Sequence, residues 1–450
     1  MTTLNSNAES LRRDCRGVPV TTTSQLAVEL LDDVVHGFVA HRKDTAQRIE
    51  RALAEDPELV PALCLRGFAY KALASQEFEE AAQQSLRLAQ ASLAARGGSR
   101  RERRLVAALE SWCLGDALGA AHRLDQTLLE HPRDLLSFKL QHAINFILGR
   151  SETLRSTAVR CLTSWDESVP GYGYVLGCYA FALEENAALG DAERVGRRAI
   201  ELEPDDAWGA HAVAHVLETQ DRAREGLAFL DAAEPALVHC NNFGGHIAWH
   251  RSLFHLQLDE YDAVLALHDA RIAPHLGRDY RDTCNVSSLL WRLENEGVDV
   301  GARWEPVAEL ARVRVGDHRL AFADAHYVLS LAAAGKLQEA AAFTTSMQGA
   351  HNSLTRQVGV PLASGIVALC AGRAALAVER MLPLARSLRP LGGSNAQRDL
   401  FELLLIEAAL RAGQRDVSQS LLEQRLRTRP DNRWASRRLQ QWTTHRKSAA

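Results

Sequence analysis

Between Trp208 and His255 the chain carries imidazoles, amides and a carboxylate at spacings that can do chemistry. His211, His215 and Glu218 fall at about 0°, 40° and −20° on a helical wheel, so two ring-nitrogen donors and a carboxylate share one stripe. Asn242, His246 and His250 lie within about 80° of one another on a second stretch, whereas His255 points roughly opposite to His246. Ten of the 17 histidines lie between positions 211 and 326. A lone helical histidine is more often a core or surface residue than a ligand. Two His-x-x-x-His pairs on successive helices change that balance.

Three chemistries suit this set. His211, His215, His246 and His250, with Glu218, offer nitrogen and oxygen donors for a divalent metal such as zinc or iron, although neither His-Glu-x-x-His nor a di-iron Glu-x-x-His pair is present. Without metal, Glu218 can orient His211, His215 or His250 as proton carriers near neutral pH. Asp324, His326, Gln397, Arg398 and Asp399 would then close the other side, with Arg398 as anchor for an anionic group. The third is plain binding, in which Trp208, Asn242, His246 and Trp249 contact a small polar molecule or a short peptide in a histidine-rich concave pocket, or a partner protein on a non-enzymatic scaffold. Against all three stands a closed polar core whose histidines satisfy backbone carbonyls and one another. The chain lacks a Gly-x-Ser-x-Gly elbow, a Walker loop and a dinucleotide fingerprint, which argues against a serine hydrolase, an NTPase and a dehydrogenase. Whether the chain is an enzyme stays open at this stage.

These residues must be placed by helices. Asp56-Pro57, His131-Pro132, Val169-Pro170 and Glu203-Pro204 are separated by 75, 38 and 34 residues, the first interval being close to two of the others. A period of this size marks stacked helical hairpins, none of which can bury its apolar face alone. Residues 173–206 place Ala180, Leu183, Ala192, Ala199 and Pro204 where the tetratricopeptide repeat has its small, apolar and proline positions, and the next unit supplies Ala214, Leu217, Gly226, Leu230 and Ala233 in the same register. In such repeats the first helix of each hairpin lines the groove. By that register Trp208, His211, His215 and Glu218 face it, as do His246 and Trp249 one unit later.

The resemblance narrows further. His211-Ala-Val-Ala-His215-Val-Leu-Glu218, the segment from Asn242 to Phe254 with Leu253-Phe254-His255-Leu256, Trp291-Arg292-Leu293, Asp324-Ala-His326 and Gln397-Arg398-Asp399 together resemble the tetratricopeptide repeat protein 38 family across about residues 25–440. The loop before Gln397 departs from it, with Asn395 where the family pattern has His. The resemblance implies an all-α, tetratricopeptide-repeat-like solenoid of stacked antiparallel hairpins curled around a central pocket, and it implies no particular reaction.

The expected organisation is a loose arm over 1–24, one repeat superhelix over 25–440 with its pocket centred on 205–330 and 395–400, and a frayed basic tail over 441–450. Arg96 to Arg104 reads as a turn and a basic helix start on a solvated face. With 46% hydrophobic and 24% charged residues and a net charge of −4, the 450-residue chain has an ordinary globular composition and no electrostatic footprint for nucleic acid or an anionic membrane. The N-terminus lacks a signal-peptide pattern and no apolar run approaches the ~20 residues of a bilayer span, so a cytoplasmic location is expected. Eight scattered cysteines without a Cys-x-x-Cys pair read as reduced thiols, Cys240 being the one worth testing. A homo-oligomer is compatible with such an array.

Overall fold

Pro57, Pro132, Pro170 and Pro204 all fall in the connections between helices, where a residue without an N–H cannot continue the preceding helix. The computed structural model describes residues 11–448, with backbone only from 442 onward. Among the described residues there are 23 α-helices and one two-stranded sheet. The fold is all-α, built from antiparallel helical hairpins stacked in sequence order, as the repeat register predicts. Helices Tyr172–Glu184 and Leu189–Leu202 form one hairpin. The small residues of that register are buried at the crossings, Ala180, Ala192, Ala199 and Ala214 each being 0% exposed. Small side chains there let helix axes approach closely. No helix among the described residues is long and apolar enough to cross a membrane.

Within the span expected to form one repeat array, contacts resolve two compact units, one of Met1–Val213 with Ala233–Gly244 and one of Ala214–Ala232 with Gly245–Ala450. In the first unit, the expected loose arm is corrected over residues 11–21. Leu11–Arg13 and Pro19–Thr21 pair as an antiparallel ladder. Val20 of the ladder and Val18 just before its second strand are buried, and Glu102 accepts from both the backbone N–H and the hydroxyl of Thr21. Residues 1–10 of that arm lie outside the described residues. Ser24 caps helix Gln25–Val39 by accepting from Ala27 N at 3.1 Å. Helix Arg100–Cys113 opens with a Ser99/Glu102 capping box. Its start is a solvated basic face only in part: Arg100 and Arg103 are exposed, whereas Arg101 is buried and bonded to Asp134 at 2.6 and 3.0 Å, and Arg96 pairs with Asp56.

In the second unit the first helices of successive hairpins, Tyr280–Asn295, Ala321–Ala333 and Val360–Cys370, pack on one another in that order. Gly226 of helix Ala223–Ala233 faces the Phe254 ring so closely that a Cβ at 226 would overlap it. The helix Arg433–Ser448 closes the unit. Its backbone continues through most of the expected frayed tail, of which 449–450 and all side chains from 442 lie outside the described residues.

Candidate functional site

Helix Ala207–Thr219 carries the first histidine stripe, with His211 and His215 one turn apart on a single face. Helix Phe243–Gln257 carries the second. Asn242 stands at its N-terminal edge, half-buried, one residue before the first helical turn.

In the second unit His215, His246 and His250 come together. Their ligand-capable nitrogens lie within 4.8 Å of one another. The His215 and His250 rings have centroids 4.5 Å apart, and those of His246 and His250 are 4.9 Å apart. All three side chains are buried. His246 Nδ1 is 2.8 Å from the side-chain oxygen of Asn285, and its ring stacks on Trp249 at 5.2 Å with an interplanar angle of 12°. Burial holds the His246 imidazole down at about 3 and pushes that of His250 well below its ordinary value. Both are therefore uncharged at neutral pH, which suits them poorly to carry a proton and well to donate a lone pair.

Beyond Trp249 lies Arg292, whose guanidinium carbon sits 5.9 Å from the indole centroid. Arg292 is one wall of a cleft of about 420 Å³ in this unit, walled also by Arg425, Arg429, Glu218, Asp399 and Trp434. No histidine lines it. Guanidinium and carboxylate groups line this opening, while the His246 ring stacks on Trp249. Glu218 does not orient a histidine through its carboxylate. Arg429 donates Nη1 to its Oε1 at 2.7 Å and Nη2 to its Oε2 at 3.2 Å. Asp399 accepts from Arg425 Nη1 at 2.5 Å and stands 3.4 Å from Arg292 Nη2. Burial alone would raise the Asp399 carboxyl, but Arg425, Arg429 and Arg292 overcome that and hold it below the usual carboxylate range. Asp221, on the same wall, is pushed up to about 6 by burial.

The remaining expected residues have other partners. Arg398, expected to anchor an anion, donates to the carbonyls of Gly392 and Gly393 and to Asn395 Oδ1 at 2.7 Å, tying down its own loop. Gln397 forms a capping box with Ser394, its Oε1 accepting from Ser394 N at 2.9 Å. Asp324 is buried with Oδ1 3.4 Å from His318 Nδ1, and burial raises its carboxyl. His326 donates Nδ1–H to Phe322 O at 2.8 Å and packs on Phe401, with burial lowering it to about 4. Asp399 alone of this group lines the cleft.

In the first unit, Trp208 and His211 are buried in an aromatic box. Trp208 packs on Phe181 at 4.8 Å and Phe243 at 5.5 Å, and His211 stacks on Phe181 at 5.6 Å. The sequence reading missed two charged groups here. Lys139 is 5% exposed with Nζ 4.5 Å from the Trp208 centroid. Asp206 accepts from Trp208 N, and burial pushes its carboxyl up to about 7. A lysine within the apolar run Leu135–Ile147 was the available signal for the first. Asp206, two residues after Pro204 and just before a helix, stands where a cap is ordinary, so its position carried no separate signal. Cys240 lies in the Arg42 bridge, its thiol pushed up to about 12 by burial, and does not have the character of a nucleophile.

No family model matches the chain. Among solved structures, the crystal structure of the yeast Tom70 is similar at a TM-score of 0.37 and 13% identity, over 93% of this chain and 88% of that one. The structure of Naa15/Naa10 bound to HypK-THB is similar at 0.24 and 10% identity, over 94% of this chain and 66% of that one. Likenesses this distant leave the narrower resemblance, to the tetratricopeptide repeat protein 38 family, resting on the sequence motifs alone.

Proposed function

We propose that this chain is a helical-repeat binding protein whose second unit takes a small polar molecule or short peptide bearing a carboxylate, in the cleft walled by Arg292, Arg425 and Arg429. The single observation that carries this is that Arg292 and Arg425 share one buried carboxylate, that of Asp399. Three buried guanidiniums face the cleft, whereas Glu218 and Asp399 are the buried carboxylates paired with them there. Glu402 reaches Arg425 only at 3.3 Å and has a 44% exposed side chain. Arg292 is the least charge-compensated of the three, because it donates to the neutral Ser288 hydroxyl and the Ser288 and Ala396 carbonyls, and its carboxylate at 3.4 Å is bonded more closely by Arg425. A buried cation with a distant counter-ion is costly, and an arriving carboxylate relieves it through charge-assisted hydrogen bonds. A ligand with a donor group as well suits the cleft, since the lining carries seven arginines and seven carboxylates in all.

The test is affinity selection from a mixed library of metabolites and short peptides, in the presence of a chelator, followed by calorimetry on wild type and Arg292→Gln. Ligands that share a free carboxylate, with affinity falling about 10–100-fold in the variant as for a lost charged hydrogen bond, are the expected outcome. Ligands lacking a carboxylate, or equal affinity for a folded Arg292→Gln, would overturn the assignment.

A further inference from the structure

The imidazole cluster behind Trp249 does not line the cleft, and binding of a carboxylate there makes no use of it. We propose that His215, His246 and His250 form a binding site for one first-row divalent metal ion of the zinc class.

The donors are the right kind and close enough. Three imidazoles with nitrogens within 4.8 Å of one another need to draw in by only about 1–1.5 Å to reach the ~3.3 Å nitrogen spacing that tetrahedral bonds of about 2.0–2.1 Å impose. Rotation about the side-chain torsions covers that distance. A site of three nitrogen donors disfavours magnesium and calcium, which demand oxygen ligands, and suits zinc, cobalt or iron.

The surroundings fix the rings as ligands are usually fixed. A metal-bound histidine commonly donates its other N–H to a carbonyl or carboxylate, which sets the tautomer and the ring plane. Asn285 does this for His246, its side-chain oxygen accepting from Nδ1 at 2.8 Å, which places the ring proton on Nδ1. Trp249, with its ring parallel to that of His246 and edge-on to that of His250, packs against both and confines them to small rotations. Asn285 and Trp249 are themselves 2% and 0% exposed, so this support is rigid. Two nearby cations oppose a metal: Arg292, whose charge bears on His250 and which pairs with Asp399, and Arg281, whose charge bears on His246 and which pairs with Asp279.

The experiment uses the full chain without a histidine tag, stripped with a chelator and titrated with cobalt(II) chloride while visible absorption is recorded. One equivalent is expected to produce the ligand-field bands of a four- or five-coordinate ion, and zinc should then displace it. X-ray absorption on the cobalt form should show the outer-shell scattering of about three imidazoles. His246→Gln, which keeps a donor for Asn285, should weaken cobalt binding at least about tenfold. His255→Ala should leave it unchanged, because His255 is bonded to Glu260 outside the cluster. Absent bands, fewer than two imidazoles at the cobalt, or a His246→Gln protein that binds as tightly as wild type would each overturn the proposal. The two wild-type measurements decide the matter even where the variant does not fold, and carboxylate binding measured with chelator present is independent of either result.

Discussion

Glu218 and Arg429 stand 211 residues apart in the chain and meet as a two-pronged ion pair, with Nη1–Oε1 at 2.7 Å and Nη2–Oε2 at 3.2 Å. Within the second unit this joins the end of the first histidine helix to the connection after helix Arg415–Thr428. The carboxylate that the sequence offered as a catalytic base is therefore already held by a guanidinium.

Breaking that pair by Arg429→Leu should cost about 3–5 kcal/mol, because an uncompensated buried carboxylate is left behind. Replacing both residues with apolar ones should recover much of the loss. Urea unfolding of the two single variants and the double variant measures the coupling. An additive double variant would mean that the two groups do not sense one another.

Gln397 separates a structural residue from a ligand contact. Gln397→Ala removes half of the capping box and should lower stability by about 0.5–2 kcal/mol, whereas Gln397→Glu should be close to neutral. Neither should alter the affinity of a ligand in the cleft, which Gln397 does not line. Thermal melts beside binding isotherms check both halves.

Asp206 makes the first unit sensitive to pH. Its folded carboxyl is raised to about 7 by burial, from an ordinary 3.8, so the folded state holds a proton that the unfolded chain releases. That contribution is full below about pH 4 and is lost as pH rises through about 7, by up to about 4 kcal/mol at most. Asp206→Asn keeps an oxygen for the Trp208 N–H and should flatten the decline. Urea midpoints at intervals from pH 4 to pH 8 measure it, and a variant with the same slope as wild type would contradict this account.

Gly226 is required by its neighbour. Gly226→Ala pushes a methyl into the Phe254 ring and should destabilise by about 1–3 kcal/mol. Phe254→Leu should partly rescue it, as a double-variant melt would show.

The helices and their hairpin order were legible because small residues at Ala180, Ala192, Ala199 and Gly226 and prolines at the connections are local signals that tertiary packing uses directly. The histidine stripes were legible as faces for the same reason, and His215, His246 and His250 do converge. The partners of those faces were not. Nothing near Glu218 in sequence announces Arg429, and nothing near Arg101 announces Asp134, since such pairs form only once distant helices pack. Arg398 and Gln397 looked like contacts because a polar residue at a helix start reads the same whether it meets a ligand or its own loop. Lys139 and Asp206 were overlooked because one charge in an apolar run carries no period.

The Thr21–Glu102 bonds bear on how the polypeptide is made. These residues are 81 positions apart, so during synthesis at about 5–20 residues per second the short leading ladder waits about 4–16 seconds before its acceptor has been added. Through that interval the N–H and hydroxyl of Thr21 lack their Glu102 acceptor and a strand edge is open to neighbours. The nascent protein thus has a built-in period of vulnerability, and a chaperone bound at the ribosomal exit would be most useful there.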